Sequence, residues 1–104
     1  MAQFDVYPNP VEDLRFSHPY VVQIQSNFLK RPAGVICVPL ARLVADSQAV
    51  PVLNPGFEVL GETVVFETLA TVSFEPSDFK RPIAKLRADA DAIWSALDYA
   101  LHGY

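Results

Sequence analysis

Proline sets the grain of this chain. Nine prolines against only four glycines divide its 104 residues into short pieces. Each proline locks φ near about −65° and removes an amide donor, so it belongs in turns, at strand edges or in the first turn of a helix. The segments between them read as strands. Phe4-Asp5-Val6-Tyr7 alternates like a half-buried strand until Pro8-Asn9-Pro10 breaks it. Tyr20-Val21-Val22-Gln23-Ile24-Gln25 follows Pro19 and is rich in β-branched and aromatic residues. Ser26 to Gly34 is a polar connection that carries Lys30 and Arg31, and Val35 to Leu40 is a continuous apolar run, the pattern of a strand buried on both faces. Leu43 to Asn54 is ambiguous. Asn54-Pro55-Gly56 is a turn signal, and Phe57-Glu58-Val59-Leu60 leads into a hairpin corner at Gly61-Glu62. Thr63 to Thr68 and Thr71 to Phe74 complete the set, and so many short strands between turns predict a small antiparallel barrel or sandwich.

The last quarter changes period. Phe79, Ile83, Leu86, Ala90, Ile93, Leu97 and Leu101 recur at spacings of three and four, the apolar stripe of an amphipathic helix, with Arg87, Asp89, Asp91, Ser95 and Asp98 largely off it. Pro82 places the regular helix around or after itself, and Gly103 supplies a stop. The expected architecture is α+β: one domain over residues 1–104, a curled antiparallel sheet closed by a C-terminal helix.

Composition narrows the function. Hydrophobic residues make up 51% and charged residues 19%, enough for a core. A domain of this size buries only about two-thirds of its unfolded surface, so self-association is expected to help it. Eight Lys and Arg against twelve Asp and Glu give a net charge of −4. That balance argues against a phosphate-tracking nucleic-acid binder, which needs clustered cations, and leaves room for a protein partner that itself handles DNA. The single cysteine, Cys37, allows no intrachain disulfide and reads as a buried small hydrophobe. No apolar run reaches the roughly 18 residues of a membrane span, and Met1-Ala2-Gln3-Phe4-Asp5 lacks the regions of a signal peptide, so a cytoplasmic protein is expected.

Chemistry-bearing constellations are sparse. His18 and His102 have no companion at metal-ligand spacing, and no phosphate loop, nucleophile elbow or functional carboxylate pair is visible. Asp89 and Asp91, two apart, diverge on a helix. A binding protein without cofactor or metal is the expectation. Two features are unusual for a plain domain: the helix ends in Ala100-Leu101-His102-Gly103-Tyr104, and Phe28-Leu29 lies within a polar loop. Tyr104 is either pinned in the core or offered to a partner, and Phe28-Leu29 is either a core flap or an exposed patch. Trp94, beside Ile93, borders the stripe and reads as core packing.

Taken together, the segments Gln3 to Tyr7, Pro19 to Asn27, Val38-Pro39-Leu40, Leu53-Asn54-Pro55, Ala96-Leu97-Asp98-Tyr99 and Gly103 make the chain resemble, end to end, the CcdB toxins of toxin–antitoxin pairs. The resemblance implies an SH3-like barrel with a C-terminal helix, a symmetric homodimer, and a protein that is not an enzyme. It implies a dimer that binds the DNA gyrase A subunit and traps the complex with cleaved DNA, neutralised by a CcdA-like antitoxin. Carried over by position, the gyrase contacts are Asp98, Leu101, His102, Gly103 and Tyr104, supported by Phe28 and Leu29.

The departure is at the tip. The best-known family pattern ends in tryptophan, glycine and isoleucine, where this chain has His102, Gly103 and Tyr104. A tryptophan can stack on an arginine, whereas a neutral histidine stacks more weakly and a protonated one is repelled. The substitution therefore bears on potency more than on mode. Two rival readings remain open at this point. One is a MazF-like endoribonuclease on the same fold, with Arg15, Lys30 and Arg31 as its only candidate groove cations; the other is an inactive relic.

Overall fold

The computed structural model describes residues 2–27, 34–43 and 51–103. Its strands run β1 (Asp5–Pro8), β2 (Tyr20–Gln23), β3 (Val35–Arg42), β4 (Gly56–Val59), β5 (Glu62–Phe66), β6 (Val72–Phe74) and β7 (Ala84–Lys85), followed by the helix α1 (Ala90–His102). Hydrogen bonding orders them β4-β5-β3-β2-β1-β7, with β6 also paired to β3, and every pairing is antiparallel. The result is a nearly closed antiparallel barrel with one C-terminal helix: the barrel and not the sandwich that the strand pattern left open, in the SH3-like form that the resemblance implies.

β3 is the organising strand. Its first half pairs with β6 (Val35↔Phe74) and its second half with β5 (Leu40↔Phe66), while β2 lies along its other edge (Val22↔Val38). Strand side chains alternate between faces, so Val6, Val22, Val38 and Leu40 fall on one side and Tyr7, Val21, Val35 and Cys37 on the other. Both sides are buried. The first set joins Phe57, Val59, Val64, Phe66, Leu86 and Ile93 in the main core; the second packs with Phe74 and Phe79 in a smaller one. This is why β3 reads as an unbroken apolar run. Ile36 is its exception, 42% exposed, where the amides of Ile24 and Gln25 both reach its carbonyl (3.0 and 3.3 Å) and the β2 ladder ends in a bulge.

The β4–β5 hairpin turns on Leu60 and Gly61, with φ of 51° and 80°. Positive φ at both central residues lets a two-residue turn follow the right-handed twist of its strands, and Gly61 adopts it without steric cost.

The helix differs from the sequence expectation. Phe79, Ile83 and Leu86 are not helical. Ala84–Lys85 pairs with β1 (Val6↔Ala84), the Ile83 amide donates to the Val6 carbonyl at 2.8 Å, and that of Leu86 donates to the Phe4 carbonyl at 2.9 Å. The physical reason is the free edge of β1, whose backbone groups need partners that an earlier helix could not supply. A 3-10 turn at Arg87–Asp89 then leads into α1. Asp89 therefore precedes the helix and Asp91 sits in its first turn, where a carboxylate complements the helix dipole. The helix lays Ile93 and Ala96 on the core, with Ala90, Ala92 and Leu97 packed beside them.

Candidate functional site: the exposed end of the C-terminal helix

Leu101 is not a core residue. It closes the apolar stripe in the sequence, yet it is 77% exposed. The cause is geometric: each four-residue step overshoots a full helical turn by about 40°, so two such steps from Ile93 through Leu97 rotate Leu101 by about 80° off the buried line. Ala96, three residues after Ile93, swings the other way and is fully buried. Leu101 therefore shares the outer face with Trp94 and exposed Asp98, at spacings of four and three. Trp94 is 43% exposed and meets the buried Phe4 ring at a steep angle, with ring centroids 5.6 Å apart. It is thus a partial core contact rather than a buried one.

Gly103 ends the helix as expected. It takes φ 82° and donates its amide to the Tyr99 carbonyl at 2.9 Å. An added Cβ there would meet nothing, so the preference for glycine comes from the left-handed conformation and not from crowding. His102 stands exposed in the last turn, where a cation would suit the helix dipole. Asp98, Leu101, His102 and Gly103 are thus all exposed over the last turn of the helix and its cap, an apolar side chain among polar ones. The candidates Phe28, Leu29 and Tyr104 lie outside the described residues, as do Lys30 and Arg31.

Cys37 is fully buried, and burial pushes its thiol up to about 12, which leaves it protonated and unreactive at neutral pH. Tyr7 is also raised to about 12, first by burial and then by Asp5, whose Oδ2 accepts its hydroxyl at 3.5 Å.

One constellation escaped the sequence reading. His18 has hydrogen-bond partners, although no metal-ligand set: its Nε2 lies 3.2 Å from Glu67 Oε2, and its Nδ1 lies 2.7 Å from Ser17 Oγ. The order resembles nucleophile, base and orienting acid. The Ser17 hydroxyl, however, donates its one proton to the Leu14 carbonyl (3.3 Å), and the neighbouring Arg42 amide and Nε donate to the Ser17 and Phe16 carbonyls, each at 2.8 Å. These bonds clip the β1–β2 connection onto the β3–β5 edge. Glu67 stands 49 positions along the chain from His18, so no local spacing could signal the contact. Among the described residues no group of three or more His, Cys, Asp or Glu could hold a metal ion, and no helix is long and apolar enough to cross a membrane.

Comparison with known proteins adds a family. The model of the CcdB protein family matches residues 3–103, nearly the whole chain. No curated protein matches it significantly. With the barrel, the C-terminal helix and its exposed terminus in place, that match settles the family: the chain belongs to the CcdB family, the toxins of toxin–antitoxin systems.

Proposed function

We propose that this toxin acts as a homodimer that binds the DNA gyrase A subunit and traps the enzyme on cleaved DNA, and that a CcdA-like antitoxin neutralises it in the cytoplasm. On this reading the protein is not an enzyme. It works by occupying a partner, through Asp98, Leu101, His102, Gly103 and Tyr104 at the helix end with Phe28 and Leu29 in support. The observation that carries the reading is the family match together with the exposed helix terminus, where Leu101 is 77% exposed on the outer face. A monomer gains nothing from holding such a leucine in water, whereas an interface gains the transfer of most of its side chain out of water, about 1.5–3 kcal/mol for a leucine. Gly103 leaves the backbone open to close approach, because nothing lies where its side chain would be.

The test is a cleavage-complex assay with purified chain, gyrase and plasmid DNA. Gyrase-dependent linear DNA, released by detergent and protease, is the expected product. RNA cleavage without trapped gyrase would move the protein to the endoribonuclease reading. A folded dimer that does neither, and does not arrest growth on expression, would make it a relic.

A further inference from the structure

The hollow between the end of β1 and the approach to β7 gathers positive charge on an otherwise acidic molecule. It encloses about 170 Å3, and its lining includes Tyr7, Arg15, Asp78, Phe79, Lys80 and Arg81. Three of the chain's eight Lys and Arg residues thus border one depression, against a net charge of −4 overall. The ion pairs among the described residues are His18–Glu67 and Arg42–Glu62, so none of these three cations is neutralised by a described carboxylate within ion-pair distance. The one carboxylate at the hollow, Asp78, accepts the Glu75 amide at 3.1 Å and closes a 3-10 turn.

Arg15 is held in place. Its Nε donates to the Asn9 carbonyl at 2.6 Å. Asn9 is itself buried, with its amide nitrogen on the His18 carbonyl and its side-chain oxygen on the Val11 amide, both at 2.9 Å. A guanidinium anchored through Nε keeps its two terminal nitrogens for a ligand. The Tyr7 and Phe79 rings, centroids 4.8 Å apart, give the hollow an apolar floor, which strengthens charge contacts made against it. The Tyr7 hydroxyl takes no part, being turned to Asp5.

We propose that this hollow is an oxyanion site, which takes a phosphate-sized group or a carboxylate between Arg15, Lys80 and Arg81. Sites for whole small molecules run to about 300–1,000 Å3, so a hollow of about 170 Å3 fits a charged head group and not a nucleotide. The head group has two sources, free phosphate or an acidic side chain of a polypeptide, and both present the same oxygens to the same cations. The proposal is independent of the gyrase reading, because the hollow is built from elements other than α1.

The experiment is an NMR titration of the full-length 15N-labelled protein at low ionic strength, with inorganic phosphate and, separately, a short Glu-rich peptide, against sodium chloride as control. Saturable shifts at Arg15 and residues 78–81 beyond the chloride effect are expected, and they should weaken about tenfold or more in the Lys80→Gln/Arg81→Gln double variant. Both substitutions replace exposed side chains and leave the Arg15 anchor intact. Tighter binding of phosphate identifies a free oxyanion as the ligand; tighter binding of the peptide identifies a partner's carboxylates. Shifts no larger than those in chloride, or unchanged in the double variant, would overturn the site.

Discussion

The ring of Phe4 meets Trp94 edge to face, with centroids 5.6 Å apart and planes at 76°. This contact joins the residue before β1 to α1. Phe4 holds φ at 71°, a left-handed conformation that costs a non-glycine residue about 1–2 kcal/mol. Its amide donates to the Gln23 carbonyl at 2.7 Å and its carbonyl accepts from Leu86 at 2.9 Å, so backbone bonds on both sides hold the strained residue. The contact is testable by a cycle of Phe4→Leu, Trp94→Leu and the double variant, unfolded in urea. The rings should couple by about 0.5–1.5 kcal/mol beyond the apolar area that leucine retains. Strictly additive losses would mean that they only share a neighbourhood.

Leu60 offers the opposite opportunity. It is 68% exposed and holds φ at 51° in the β4–β5 turn, so it contributes little packing while bearing a steric cost. Leu60→Asn places Asn-Gly at a two-residue hairpin that wants positive φ twice. The variant should be more stable by about 1 kcal/mol, seen as a higher urea midpoint at unchanged slope. An unchanged or lower midpoint would show that the leucine makes a contact worth its strain.

Alkali should unfold the protein through two buried groups. Cys37 and Tyr7 are both raised to about 12 from ordinary values of 9.0 and 10.0, so the folded state keeps protons that the unfolded chain releases. Their contribution is fully present below pH 9 and is lost as pH climbs from 9 towards 12. Unfolding free energy measured from pH 8 to 11 should fall. Cys37→Ser removes the thiol's part of that slope, and a native thiol reagent should label Cys37 no faster than the protein opens.

What could be read from the sequence was local. β2 and the β4–β5 hairpin follow from β-branched composition and turn chemistry within a few residues, and Gly103 marks the helix end by its freedom at positive φ; β1 is a strand as expected, but it is buried on both faces and not half-buried, and it keeps Pro8, which pairs with Tyr20. What could not be read depends on distant partners. Ala84–Lys85 is a strand only because β1 has an edge to fill, and the apolar residues around it mimic a helical stripe. Leu101 fits the same stripe by spacing but is carried off it by rotation. The His18–Glu67 contact and the convergence of Arg15 with Lys80 and Arg81 join parts of the chain that only the closed barrel brings together.

That rotation of Leu101 separates folding from binding at the tip. The buried helix side chains are Ile93 and Ala96, with Leu97 packed beside them, and all precede residue 98. A chain ending at Leu101 loses the Gly103 cap and its bond to Tyr99, and should lose about 1 kcal/mol or less, since a terminal turn is the least stable part of a helix. Gyrase binding should fall far more, by about a hundredfold or beyond, because a few central residues carry most of an interface. Equal losses in both, read from urea unfolding and gyrase pull-down on the same preparation, would assign Tyr104 to the core instead. A truncated protein that still traps gyrase would place the contact elsewhere. His102→Trp then isolates the chemistry of the tip. If stacking on an arginine is the operative contact, affinity should rise by about tenfold, whereas an unchanged affinity would show that the tip binds by another contact.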